Sequence, residues 1–395
     1  MTGQGGPIGA SGPGAAGGAG GAGAAFAWGL FLASSWTWCI GMFLPILLLR
    51  EWGWAGFAVF AIPNVLGCAG FGAVLDRGRA ARLRARLAPC MAWFSLATIA
   101  FQTFFLSWAS WRWIAPVLAP GAEPWSSWMV GAVVAAAPVL LVRRQESRAW
   151  VALGVVAWIG SMLLWSRTGV SSWSTVPAAD GDLTALALLA LPIAVGFLLC
   201  PALDLTFHRA LEESPSRGSF AVFGLAFAPM ILFAAATWGG AGPAVTSFVA
   251  LQWFMQASFT AAAHAREVRE RRIAGAPGEA GVVAAVLLGA VLGCPSLGGE
   301  PLYLRFLGLY GIVFPGLLLL GLRGRGGLLS AAFLVAAIPC YEAGFVGWGV
   351  GPETPTGPRL AWAPLVALGV LAGIVLPSRD NGRGAAAEPQ RSAAG

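Results

Sequence analysis

Residues 34–76 read SSWTWCIGMFLPILLLREWGWAGFAVFAIPNVLGCAGFGAVLD and contain two apolar segments that meet at the short turn Arg50-Glu51-Trp52-Gly53. Small polar and helix-breaking residues interrupt both segments. They are Ser34, Ser35, Thr37, Gly41 and Pro45 in the first, and Pro63, Asn64, Gly67, Gly70 and Gly72 in the second. At membrane depth such residues are tolerated only where the freed backbone groups are buried in protein or line a cavity. The stretch therefore predicts a membrane hairpin that borders a pathway.

The composition indicates an integral membrane protein whose main partner is the lipid bilayer. Of the 395 residues, 57% are hydrophobic and 10% are charged, whereas a soluble domain carries about 25% charged residues. The six cysteines are scattered and form no CxxC pair, so the pattern predicts neither a metal site nor a disulfide framework. No phosphate-binding loop motif is found in the Gly-rich stretches, and we expect no organic cofactor.

Apolar stretches of spanning length predict about twelve transmembrane helices between residues 25 and 376. The segments cover residues 25–49, 53–75, 88–108, 125–142, 149–166, 183–203, 218–238, 244–263, 279–296, 303–322, 327–348 and 360–376. Residues 1–24 and 377–395 are rich in Gly and Ala and are expected to be disordered tails.

The placement of arginine predicts the orientation of these segments. All 24 basic residues are arginines, and most lie in the loops after segments 2, 4, 6, 8 and 10 or in the C-terminal tail. Only Arg50, Arg112, Arg167, Arg305 and Arg359 lie on the opposite side. Because cytoplasmic loops carry an excess of basic residues, both termini are expected in the cytoplasm of a bacterium, with the chain in its inner membrane. The net charge of +7 then reflects topology rather than nucleic-acid binding.

An internal similarity predicts a repeat. The letters FAVF of residues 57–60 recur at 220–223, which is an offset of 163 residues. The same offset aligns Gly41 with Asp204, and so aligns the interruption of segment 1 with the Cys200-Pro201 interruption of segment 6. A repeat of five spans has its copies in opposite orientations, as in many secondary transporters. The predicted fold is all-α, with a 5+5 inverted repeat (about 25–166 and 183–322) and two C-terminal helices (327–376).

This plan resembles the leucine-transporter-like fold, and residues 34–76 and 196–209 are most similar to sodium:solute symporter-like proteins. The resemblance implies a secondary active transporter that moves a small solute by alternating access, coupled to Na⁺ or H⁺. It also implies substrate contacts around the interruptions of segments 1 and 6, and an ion site with hydroxyls from segment 8. The substrate-binding residues it points to are Thr37, Cys39, Gly41, Pro201, Asp204 and Thr206, and the ion-coupling hydroxyls are Ser258 or Thr260.

Two acidic residues lie within apolar segments, where charge usually marks function. Asp204 follows Pro201 and either faces a cation at a half-helix end or pairs with His208 or Arg209 at helical spacing. Glu342 lies in segment 11 and is a candidate for proton relay and ion coupling, or else a buried neutral acid.

For Asn64 and the two histidines the sequence predicts no direct role in function. Asn64 is expected to hydrogen-bond between helices. His208 and His264 are expected at solvated helix ends next to arginines.

Three other function classes remain open: a major-facilitator transporter, a membrane-embedded enzyme, and a membrane protein without transport activity, such as a scaffold or sensor. A major-facilitator transporter also has twelve spans, and residues 72–79 approximate its loop signature. That class repeats with an offset of six segments, which would pair segment 1 with segment 7, and the sequence shows no such match. A membrane-embedded enzyme would need acids, histidines or metal ligands clustered at one membrane face. The outer-loop acids are scattered and have no histidine beside them, so we expect no enzyme.

Overall fold

The computed structural model describes residues 19–141, 146–168, 183–236, 242–273 and 275–322, with residue 324 and short stretches between 331 and 338. All regular secondary structure in these ranges is helical, which confirms the predicted all-α class. Predicted segments 1 to 10 lie within the described part of the chain, except for residue 142 and residues 237–238. Segment 12 and most of segment 11, including Glu342, lie outside it.

The described helices follow the chain in order. They are α1 (Ala19–Trp36), α2 (Cys39–Val74), α3 (Arg77–Ala109), α4 (Ala115–Leu118), α5 (Pro124–Leu141), α6 (Ser147–Thr168), α7 (Leu183–Leu199), α8 (Leu205–Glu213), α9 (Gly218–Ala236), α10 (Pro243–Arg271), α11 (Gly278–Leu292), α12 (Glu300–Gly308) and α13 (Phe314–Leu322). A 3₁₀ turn (Cys200–Ala202) precedes α8, and π-helical turns (Ser110–Ile114 and Leu309–Val313) join α3 to α4 and α12 to α13.

Within the described residues, five helices are long and apolar enough to cross a membrane. They are Cys39–Val74, Arg77–Leu118, Pro124–Leu141, Ser147–Thr168 and Glu300–Leu322. Leu189–Ala202 and Leu205–Glu213, bent by 49° at a short break, make a sixth if they count as one span. The chain is therefore a multi-pass membrane protein, as its composition predicts.

Helix α2 is the predicted hairpin. Gly53 has φ 56° and ψ −145° inside it, a backbone conformation that glycine adopts without the steric cost of a Cβ. The chain reverses there, so residues 39–52 complete segment 1 and residues 54–74 form segment 2. Sequence and structure agree on this turn.

The arginine-rich loops gather at one end of the molecule, which we call the Arg-rich end. Arg77 donates to the carbonyls of Leu211 and Ser214, which brings the α2–α3 and α8–α9 connections together. Arg269 at the end of α10 donates to Val139 O near the end of α5. The opposite end holds the Gly53 turn, and we call it the Arg50 end. The predicted alternation of loops is therefore present in the fold.

The helices pack as two groups with mutual symmetry. In the first group, α1 packs on α9 and α2 packs on α7 and α9; in the second, α3 packs on α5, α10 and α11, and α10 packs on α5. Moving both partners by five segments turns some of these packings into another one that is present and returns the others to themselves. For example, segment 1 against segment 7 becomes segment 6 against segment 2. This correspondence fits an offset of five segments, the 5+5 plan, whereas the exact repeat limits stay a prediction.

The N-terminal boundary differs from the expectation. Helix α1 begins at Ala19, inside the stretch 1–24 that was expected to be a disordered tail. Residues 19–24 read AGGAGA, and they extend a helix that is already anchored by packing. Extension adds one hydrogen bond per residue without a new nucleation cost, which explains the earlier start.

Close packing between α3 and α11 generates a stability prediction. A Cβ at Gly289 of α11 would lie against the carbonyl oxygen of Ala100 and 2.8 Å from Thr103 Cβ. Gly289→Ala should therefore destabilise the fold by about 1–3 kcal/mol, because a well-packed contact must open. Thermal unfolding in detergent measures the change.

Gly70 is the matched control, since nothing lies within 4 Å of a Cβ built there. Gly70→Ala should stabilise α2 by up to about 1 kcal/mol through helix propensity. Equal melting temperatures for both variants would contradict the described packing of α11.

Candidate functional site

The first helix break lies at Thr37–Trp38, between α1 and α2. Most of the backbone groups that it frees have partners. Thr37 N donates to Ala33 O, and Trp38 N donates to Trp36 O at 2.8 Å. The first amide of α2, Cys39 N, donates to the side-chain oxygen of Gln102 on α3 at 3.1 Å, and Cys39 O accepts from the Tyr303 hydroxyl at 3.2 Å. The break is thus held open by side chains from α3 and α12.

The second break lies at Cys200–Asp204, where the 3₁₀ turn separates α7 from α8. Asp204 has extended backbone and is the N-cap residue of α8. Its Oδ1 accepts from both the amide and the hydroxyl of Thr206, each at 2.7 Å. A carboxylate in this position satisfies free amides and complements the positive end of the helix dipole.

The two breaks touch each other. The Ser35 hydroxyl lies 3.3 Å from that of Thr206, and the ring of Trp36 meets that of Phe207 edge-on at 4.9 Å. On the other side of the first break, Thr260 of α10 donates to Ser34 O at 3.3 Å. The interruptions of segments 1 and 6 therefore form one polar junction inside the helical bundle.

A cavity of about 100 Å³ opens beside this junction. It extends along residues 39–52 of α2 and is bordered by α7 and by the α12–α13 region. Its inner end is formed by Trp36, Trp38, Asn64, Cys200 and Tyr310, and its outer end by Leu48, Arg50, Glu51 and Trp52. Most of its wall is aliphatic or aromatic, with a few polar groups near the break, as is typical of ligand sites.

Asn64 holds the inner end of the cavity together. Its Oδ1 accepts from the indole N–H of Trp36 at 2.8 Å, so a side chain of segment 2 fixes the last residue of α1. This is the interhelical hydrogen bond that was expected of Asn64. The residue also lines the cavity, which the sequence did not indicate.

The Arg-rich end is closed by a network of ion pairs. The pairs are Arg84–Glu212 (2.6 Å), Arg271–Glu212 (3.0 Å), Arg271–Glu267 (2.7 Å), Arg209–Glu267 (2.9 Å), Arg209–Glu270 (2.7 Å) and Arg209–Glu213 (2.9 Å). They tie α8, which follows the second break, to α3 and α10. Glu267 is only 2% exposed, so this part of the network is buried between α8 and α10.

A histidine lies against the second break. His264 of α10 is fully buried, and its Nε2 is 3.6 Å from Asp204 Oδ2. Its Nδ1 lies 3.1 Å from the Ser95 hydroxyl of α3. The ring of Trp38 packs edge-on against that of His264 at a centroid distance of 5.6 Å. Because Trp38 also lines the cavity, its ring lies between His264 and the cavity.

The structure separates the predicted site residues into groups. Gly41 lines the cavity, whereas Thr37 is buried and donates to Ala33 O at 2.7 Å. Asp204 and Thr206 belong to the polar junction. The remaining predicted substrate residues, Cys39 and Pro201, are buried next to the breaks and do not line the cavity.

The residues predicted to couple ions differ in their hydrogen-bond partners. Thr260 contacts the first break, as described above. The Ser258 hydroxyl is buried and has no hydrogen-bond partner among the described residues. Glu342 lies outside them.

The expectation for the two histidines was wrong. His208 and His264 are both fully buried, because α10 continues to Arg271 and α8 packs under the ion-pair network. His208 bonds Ala202 O and Arg84, and Asp204 faces His264 rather than His208 or Arg209.

The sequence also missed several lining residues, namely Trp36, Trp38 and Tyr310. The two tryptophans flank the predicted break directly, and that adjacency was the available signal.

The hydroxyl of Thr206 generates a prediction about the junction. Thr206→Val keeps the side-chain shape and the backbone amide bond to Asp204, but it removes the hydrogen bonds that the hydroxyl makes with Asp204 and Ser35. The free energy of unfolding should fall by about 1–3 kcal/mol, because a buried charged acceptor loses a donor. Thr206→Ser keeps the hydroxyl and should stay close to the wild type. Thermal unfolding in detergent compares them, and equal losses for both variants would contradict the bridging role.

No protein-family model matches the chain, and no curated protein matches it. Among solved structures, it is similar to a Na⁺-coupled sialic acid symporter in a substrate-bound, outward-open state. The identity is 12%, the match covers 88% of each chain, and the TM-score is 0.45.

Proposed function

We propose that this protein is a secondary active transporter, a multi-pass permease that moves a small solute by alternating access around the junction of the two breaks. The observation that carries the proposal is the cavity beside the junction. It reaches from Trp36 and Trp38 to the Arg50 end, and it lies between helix segments whose backbone is interrupted at the same depth. Irregular backbone inside a membrane bundle is the usual setting of transporter binding sites.

Alternating access requires two states, each open at one end of the molecule and closed at the other. The two ends described here fit one of these states. The cavity extends toward the Arg50 end, whereas ion pairs close the Arg-rich end. We infer that the Arg-rich end faces the cytoplasm of a bacterial cell, because basic residues mark cytoplasmic loops. The described conformation is then the one that is closed toward the cytoplasm.

The lining suggests the class of solute. Leucines, isoleucine and aromatic rings make most of the wall, and the polar groups near the break are Asn64, the Trp36 indole and the Cys200 thiol. Asn64 and Trp36 already bond each other, and the Cys200 thiol donates to Tyr310 O at 3.1 Å. No full charge lies at the inner end among the described lining residues. We propose a small solute with an apolar body and no net charge.

The packing favours this plan over the major-facilitator alternative. For the packings of the two helix groups described above, a shift of five segments gives another packing that is present or returns the same pair, which is the offset of an inverted repeat. A major-facilitator protein would show counterparts six segments later. The predicted C-terminal helices at 327–376 lie mostly outside the described residues and are not among these packings.

The proposal predicts binding and exchange of a solute. A thermal-shift screen of small neutral solutes, each with and without Na⁺, should find one that raises the melting temperature of the purified protein. The same solute should then exchange across proteoliposomes that contain the protein. Trp38→Ala should abolish the thermal shift, because it removes a wall of the cavity. Exchange no faster than in protein-free liposomes, for every solute that binds, would contradict transport.

The proposal also predicts which end of the path is open. Leu307 lines the cavity and is partly exposed, whereas Leu318 lies further along the same segment and is 1% exposed. Leu307→Cys should therefore react with a membrane-impermeant thiol reagent that is added at the Arg50 end. Leu318→Cys should stay unreactive under the same conditions. Equal labelling of both positions, measured by mass spectrometry, would contradict a cavity that opens at one end.

A further inference from the structure

Two buried polar atoms face each other at the second break, and neither has a hydrogen-bond partner among the described residues. They are Asp204 Oδ2 and His264 Nε2, separated by 3.6 Å. Both side chains are completely buried. Buried polar atoms are rarely left without a partner, because each costs about 1–3 kcal/mol. This pair of atoms therefore requires an explanation.

The other polar atoms of both side chains are satisfied. Asp204 Oδ1 accepts two hydrogen bonds from Thr206, and His264 Nδ1 pairs with the Ser95 hydroxyl. One oxygen and one ring nitrogen remain. A carboxylate oxygen only accepts, while a ring nitrogen either donates or accepts. A single proton on either atom would pair the two, and no further ligand is needed.

The surroundings offer little compensation for a charge on Asp204. In the described residues its sole ion-pair partner is His264. The ionisable groups that face the pair are Cys68 on α2, Cys200 in the 3₁₀ turn, Tyr310 in the second π-helical turn and Glu267 on α10. Glu267 is itself occupied by Arg209 and Arg271. An unpaired carboxylate in such a place is costly, whereas a neutral pair is not.

The pair also bridges the two helix groups. Asp204 belongs to the break between α7 and α8. Helix α7 packs against α2 of the first group and α8 packs against both groups, whereas His264 and Ser95 belong to α10 and α3 of the second. Trp38 connects His264 to the cavity through an edge-on ring contact. A change of charge at the pair therefore acts on the contact between the groups and on the wall of the cavity.

We propose that Asp204 and His264 share one proton that is carried with the solute, so that the protein couples transport to protons. This inference rests on the transport function proposed above. With neutral His264, the pair carries one negative charge. Uptake of a proton from a hydronium ion on the Arg50 side breaks one O–H bond of that ion, forms one O–H or N–H bond in the pair and makes the pair neutral. Release to a water molecule on the Arg-rich side breaks the bond in the pair and forms hydronium again.

The donor atoms favour a proton over Na⁺ at this place. Hard cations prefer oxygen ligands from carboxylates, carbonyls and water. Between the two side chains a single carboxylate oxygen is free, and the atom opposite is a nitrogen. Sodium coupling is therefore the competing outcome of the test.

The first experiment measures the proton directly and needs no solute. Infrared difference spectra of the protein in lipid nanodiscs are recorded between about pH 8 and about pH 5, on either side of the ordinary pKa of histidine. We expect a protonated-carboxyl or imidazolium signal in the wild type that Asp204→Asn removes and His264→Gln alters. Asparagine keeps the N-cap of α8, so the fold should survive. An unchanged signal in Asp204→Asn would overturn the proposal.

His208→Gln is the matched control, because His208 is equally buried but bonds Ala202 O and Arg84 instead of a carboxylate. It should keep the wild-type signal assigned to the pair. Loss of that signal in His208→Gln but not in His264→Gln would also overturn the assignment.

The second experiment separates this proposal from the proposed function. In proteoliposomes, Asp204→Asn should lose accumulation driven by a pH gradient, down to the level of protein-free liposomes, and this loss is compared with its solute exchange at equilibrium, measured in the same preparation. Accumulation that is driven by Na⁺ and insensitive to pH would overturn proton coupling and leave transport intact. If no solute moves in the wild type, the transport function fails, and the infrared result still decides whether the pair binds a proton.

Discussion

The rest of the structure depends on how the backbone groups at the two helix breaks are satisfied. Lipid offers no hydrogen bonds, so a helix can be interrupted within the membrane only where protein supplies partners. At the first break, Gln102 accepts from Cys39 N and Tyr303 donates to Cys39 O. At the second, Asp204 caps α8 and Thr206 links it to Ser35. Each break is thus stabilised partly by the other and partly by neighbouring helices.

This arrangement explains why a cavity, an ion-pair network and a buried acid–base pair occur together. Interrupted helices leave space toward the Arg50 end, and Trp36, Trp38 and Asn64 shape it. The half-helix α8 continues toward the Arg-rich end, where its acidic residues meet arginines of α3 and α10. The Asp204–His264 contact lies between these two regions, at the boundary of the helix groups. A movement of one group against the other would therefore change all three features at once.

Much of the fold could be predicted from simple patterns. The small polar residues and prolines of residues 34–76 indicated the hairpin and its break, and arginine placement predicted which loops share an end. The 163-residue offset carries Trp38 to Pro201, which matches the position of both breaks. The site was harder to predict. Charged residues after position 263 ended the apolar segment 8, but they form ion pairs that keep α10 helical to Arg271, and so His264 became buried. Gly41 lines the cavity and Thr37 does not, because the two residues face different directions. The spacing of residues in the sequence alone does not give that direction.

Alternating access requires the two helix groups to move against each other around the junction. The most direct measurement is the distance between spin labels at Ser216→Cys, in the α8–α9 connection, and Ala280→Cys, on α11, in a background without reactive native cysteines. Both positions are exposed at the Arg-rich end. In nanodiscs we expect two populations of the distance between the labels, whose proportions change between neutral and acidic pH. A single narrow distribution that stays the same under all conditions would contradict such a movement.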